Sequence, residues 1–129
     1  MDMLFVMDPV DGIKPAKDTT FAFLLAAVAE GHRPWIATKA ELSATSTPER
    51  RTRVRARPVE HIADRTDDFI ALGHEEQRPL DAFPITWMRK DPPFDDDYLY
   101  ATLLFDVDGS DRVVNRPNGL RAANEKAFI

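Results

Sequence analysis

The chain has 129 residues, 43% of them hydrophobic and 30% charged, the proportions of one folded domain rather than a disordered chain. It contains no cysteine, which excludes disulfide scaffolds, thiolate metal sites and cysteine nucleophiles. With 17 basic and 22 acidic residues its net charge is −5, which argues against a general nucleic-acid binder.

The first residues lack the basic and small-residue pattern of a signal peptide. The longest apolar run, 21–29, is too short to span a bilayer, so a cytoplasmic chain with no membrane partner is expected. Met3-Leu4-Phe5-Val6-Met7 is continuously apolar and stops at Asp8-Pro9, the pattern of a strand buried on both faces. Asp18 is placed to cap a helix carrying Phe21, Leu24, Leu25 and Val28, and Gly31 to end it. Residues 34–38 read as a second strand, giving a βαβ opening.

Residues 51–57 alternate arginine with neutral side chains, which places Arg51, Arg53, Arg55 and Arg57 on one face of a strand. Its expected partner is 68–73, making a hairpin or flap near 50–72, followed by a polar loop over 75–80. Residues 83–88 read as a strand, and Asp95 can cap a helix over about 96–105, with Phe94 and Leu99 as a hydrophobic staple. Val113-Val114 is a short strand, and a last helix is expected through 120–128. The fold class that follows is α/β: an open, mostly parallel sheet with flanking helices, forming one domain over 1–129.

Three strands end in a polar residue and then proline: Asp8-Pro9, Asp91-Pro92 and Asn115-Arg116-Pro117. Open α/β sheets bind ligands beyond the carboxyl ends of their strands. Arg89 and Lys90 stand at one such exit and suit a carboxylate or phosphate. Lys17-Asp18-Thr19-Thr20 opens the first helix, where free N–H groups and the macrodipole attract anions. The arginine ladder reads first as a solvated edge strand, second as a subunit contact and last as a nucleic-acid surface. His32, His61 and His74 show no ligand spacing, the Asp95-Asp96-Asp97 carboxylates fit a helix start, and no serine has a nucleophile context. The residues alone therefore describe an anion-binding crevice without complete catalytic machinery.

Read together, Met7-Asp8-Pro9, Lys17-Asp18-Thr19-Thr20-Phe21-Ala22, Arg55-Ala56-Arg57-Pro58, Met88-Arg89-Lys90-Asp91-Pro92-Pro93-Phe94-Asp95, Tyr98-Leu99-Tyr100-Ala101-Thr102 and Val113-Val114-Asn115-Arg116-Pro117 resemble, in order, the N-terminal domain of prokaryotic-type glutathione synthetase. That family belongs to the ATP-grasp ligases. Leu120-Arg121 and Asn124-Glu125-Lys126 continue the match, while Pro15-Ala16 and Ala122 depart from the usual pattern. The resemblance implies a Rossmann-like pre-ATP-grasp domain and a reaction that joins γ-glutamylcysteine to glycine with ATP and Mg²⁺ through an acyl phosphate. It implies that Lys17, Thr19 and Arg89 bind substrate, that Lys126 meets ATP, and that Asp8 and Asp91 shape the crevice. It also implies a C-terminal ATP-grasp domain, a homotetramer, and no metal ligand or tightly held cofactor within 1–129. A chain with only this domain is expected to make no glutathione. A free-standing module for a small anion or a protein, or the front domain of another ATP-grasp peptide ligase, would fit the same residues.

Overall fold

A computed structural model of the chain describes residues 1–15, 18–44, 51–63, 69–89, 96–107 and 112–114. Eight strands form one sheet: β1 (Asp2–Met7), β2 (Arg33–Ala37), β3 (Leu42–Ala44), β4 (Thr52–Ile62), β5 (Ile70–Leu72), β6 (Glu76–Pro79), β7 (Ile85–Arg89) and β8 (Val113–Val114). Two helices, α1 (Thr19–Ala29) and α2 (Asp96–Val107), complete the described elements. The main path runs β3-β4-β2-β1-β7-β8, and β5 and β6 also pair with β4. Within it β2-β1-β7-β8 is parallel, whereas β4 joins β2 antiparallel.

β1 is buried on both faces, as its continuous apolar run requires. Leu4 and Val6 meet Trp35, Tyr98, Leu104 and Phe105 in a core that includes α2. Phe5 and Met7 point the other way, into a second core with Leu24 of α1 and Ile36 of β2. The helices thus cover opposite faces of the sheet. Thr52 of β4 donates its hydroxyl to the Leu104 carbonyl and ties α2 down.

α1 begins and ends where its sequence directs. The Asp18 carboxylate accepts from the Phe21 N–H at 2.8 Å, a cap that stabilises by about 1 kcal/mol. At the other end Gly31 has φ +84°. The His32 and Gly31 N–H groups donate to the Ala27 and Val28 carbonyls at 2.9 and 3.0 Å. This double closure is why the chain turns at a residue without a Cβ.

Two expectations need correcting. β4 is no edge strand: β3 and β6 flank its first half, β2 and β5 its second. The period-2 pattern holds, with Thr52, Val54 and Ala56 buried while Arg55 and Arg57 are exposed. Alternation reports which face a side chain takes, but the backbone partners decide whether a strand is an edge. Residues 76–79 are likewise β6 rather than loop, paired from Arg53↔Pro79 to Ala56↔Glu76. Their side chains carry no apolar signal, because the ladder hydrogen bonds and Arg78 hold them. Arg78 stacks 4.0 Å over the buried Trp35 ring and reaches Asp2 at 3.3 Å.

β4 and β5 do form a hairpin, but over Val59 to Ile62, with a register shift between Val59 and His61; the arginine ladder expected to pair with 68–73 is flanked over 52–56 by β3 and β6 instead. β3 was not expected; three residues are too few to show a period. The Asp95 cap, the Phe94 staple, the proline-rich exits at 91–93 and 115–117, and the helix over 120–128 lie outside the described residues.

Candidate functional site

β1 and β7 run parallel, with Met7 level with Arg89, so both strands finish at the same end of the sheet. The chain leaves β1 through Asp8-Pro9 into a single 3₁₀ turn, Val10–Gly12, closed by hydrogen bonds from Gly12 to Pro9 and from Ile13 to Val10. It then reaches the N-terminus of α1. These three segments enclose a hollow of about 70 Å³, lined by Asp8, Pro9, Gly12, Asp18, Thr20 and Arg89 among others. It sits beyond the carboxyl ends of parallel strands and against a helix N-terminus, where a fold of this class binds anions.

Arg89 is oriented by protein groups. Its Nε donates to Thr20 Oγ1 at 3.3 Å, and its guanidinium lies 4.8 Å from the Phe23 ring centroid. Thr20 is itself buried. Among the described residues the terminal guanidinium nitrogens make no further bond, which leaves the forked edge for a ligand. Asp18 contributes its backbone at the helix start and spends one carboxylate oxygen on the Phe21 cap.

Of the sequence-predicted residues, Arg89 lines the hollow. Thr19 is exposed, and its neighbours Asp18 and Thr20 form the lining instead. Lys17, Lys90, Asp91 and Lys126 lie outside the described residues. Thr20, which anchors Arg89, was not singled out. Adjacent threonines look alike in a sequence, and only the phase of the helix, set by buried Phe21 and Leu24, turns Thr20 inward.

A second hollow of about 300 Å³ opens on the far side of the 3₁₀ turn and shares Pro9 with the first. Its charged lining is Arg57 of β4, Asp11 of the turn, Glu41, and Glu75 from the loop between β5 and β6. The Glu41 Oε1 atom accepts from the Thr38 N–H at 2.8 Å and from its hydroxyl at 3.1 Å. Among the described residues no three His, Asp or Glu side chains gather closely enough to hold a metal ion. None of the described helices is long and apolar enough to cross a membrane.

The family model described as prokaryotic glutathione synthetase, N-terminal domain, matches residues 1–121. A protein named glutathione synthetase from Parasynechococcus marenigrum strain WH8102 is 41% identical over 128 residues, covering 98% of this chain and 39% of its own length. Proteins of the same name from Pseudomonas putida and Synechococcus elongatus are 42% and 38% identical, and the match covers 38% and 42% of their lengths. The chain therefore spans about two-fifths of the length of these relatives.

Proposed function

The chain belongs to the N-terminal domain family of prokaryotic glutathione synthetases, and on that premise we propose that it supplies the peptide-holding side of an ATP-dependent ligase joining γ-glutamylcysteine to glycine. The observation that carries the reading is Arg89. It stands at the carboxyl end of a parallel strand, braced by Thr20 and Phe23, and lines a hollow at a helix N-terminus. A carboxylate there accepts two parallel N–H bonds from the guanidinium and lies against the free N–H groups of α1. Lys17, which precedes the Asp18 cap in sequence, is assigned to the same carboxylate, and Thr19 to the rim. These contacts bind and orient the peptide; none of them activates it.

Activation requires ATP and Mg²⁺, which make a carboxylate reactive toward an amine. The described residues offer no donor set for the metal. That chemistry is therefore assigned to an ATP-grasp region, with Lys126 as the contribution of this chain to the ATP phosphates. The homo-oligomeric, tetrameric assembly implied by the family resemblance belongs to the same proposal and is tested by light scattering.

Calorimetric titration with γ-glutamylcysteine tests the reading. Arg89→Ala should weaken binding by about 1.5–3 kcal/mol, the worth of a charged hydrogen bond. An unchanged affinity removes Arg89 from the site.

A further inference from the structure

Arg57 and Arg89 lie on different strands, yet the register puts them on one face. Arg57 is level with Ile36, Ile36 with Phe5, and Phe5 with Trp87, two residues before Arg89. Partners across a ladder share a face, as do residues two apart along a strand. Ile36 and Phe5 belong to the core on the α1 side, so both arginines face that side at the same end of the sheet. Their backbones are separated by three ladder spacings, about 14 Å, and two residues along the strand, about 7 Å. The 3₁₀ turn and Pro9 lie between the two hollows they line.

The charges in the second hollow limit what it can hold. No hydrogen bond or ion pair formed among the described residues involves the Arg57 side chain. Asp11, Glu41 and Glu75 share the hollow without gathering into a metal-binding group. Glu41 keeps one oxygen, Oε2, outside its bonds to Thr38. A phosphate would be drawn to Arg57 but repelled by three carboxylates, and a simple cation would meet the guanidinium. A zwitterion satisfies both signs at once.

We propose that this hollow binds the α-amino-acid end of the peptide, with Arg57 holding the glutamyl α-carboxylate and the Glu41, Glu75 and Asp11 wall holding its α-ammonium. The inference rests on the reading of the Arg89 hollow as the site for the other carboxylate. An extended γ-glutamyl dipeptide separates its carboxylates by about 9 Å; Arg89 is held by Thr20 and Phe23, so the long Arg57 side chain, reaching over the turn, has to cover the rest of the span. The second hollow then selects for a free ammonium and a free carboxylate on one carbon, the pair that distinguishes a γ-glutamyl peptide from an α-linked acidic peptide.

The test is an NMR titration of the 129-residue chain with γ-glutamylcysteine and with glutarylcysteine, which lacks the amino group. Wild type, Arg57→Gln, Arg89→Gln and Arg55→Gln are compared. Arg55 is exposed on the same strand and does not line the hollow, so its variant controls for general charge. Wild type should bind glutarylcysteine about tenfold more weakly than γ-glutamylcysteine. Arg57→Gln should weaken γ-glutamylcysteine about tenfold, as loss of a charged hydrogen bond implies, with Arg55→Gln unchanged. Equal affinity of Arg57→Gln and wild type overturns the inference, as does equal affinity of wild type for the two peptides. If Arg89→Gln alone loses binding, this inference falls and the first reading stands. If wild type shows no saturable shift with either peptide, both fall.

Discussion

Arg89 is held before any ligand arrives, by a hydroxyl at 3.3 Å and an aromatic face at 4.8 Å. An arginine fixed in this way loses less rotamer freedom on binding than a solvated one. Thr20→Val keeps the shape of the helix start and removes only the acceptor, so it should weaken γ-glutamylcysteine by about 1 kcal/mol through Arg89. Calorimetry on this variant, with the melting temperature as a fold check, separates orientation from stability. Arg89 was legible because a cation after an apolar strand is conspicuous in a sequence. Thr20 was not, and Arg57 was legible only as one rung of the arginine ladder. The role of the first depends on helix phase, and that of the second on a register with Ile36 that no local pattern encodes.

At the scale of elements, the loop bearing Glu75 is fixed by Gly73. Its N–H donates to the Pro58 carbonyl at 2.8 Å, and a Cβ there would stand 2.9 Å from the Pro58 ring and 2.6 Å from the Glu60 carboxylate. The glutamate is exposed and can swing away; the proline ring is buried in β4 and cannot. Gly73→Ala should therefore cost about 1–2 kcal/mol by overpacking, read as a lower midpoint in urea. It should also weaken any ligand that uses Glu75. β1, α1 and β8 were readable from apolar runs and caps, since burial on both faces and Asp18–Phe21 capping leave local marks. β6 left none, because Glu76 and Gln77 are exposed and its place is set by the β4 ladder.

For the whole molecule, the sheet separates two tasks. Its α2 face is closed by a core from Leu4 to Phe105. Its α1 face ends in two charged hollows around one turn. The fold class was accessible from the strand-helix-strand opening. The antiparallel extension through β4 was only partly so, because nonlocal pairing decides it. If the chain supplies only the peptide-holding contacts proposed for Arg89, the purified chain should bind γ-glutamylcysteine and form no glutathione when glycine, ATP and Mg²⁺ are added. ATP-dependent product detected by chromatography would overturn that assignment. The most direct measurement is backbone amide shift mapping of the wild-type chain during titration with γ-glutamylcysteine. The account predicts one saturating curve whose largest shifts fall at Asp8, Gly12, Asp18, Thr20 and Arg89. Saturating shifts confined to α2, β3 or β8, with those five amides unmoved, would contradict it.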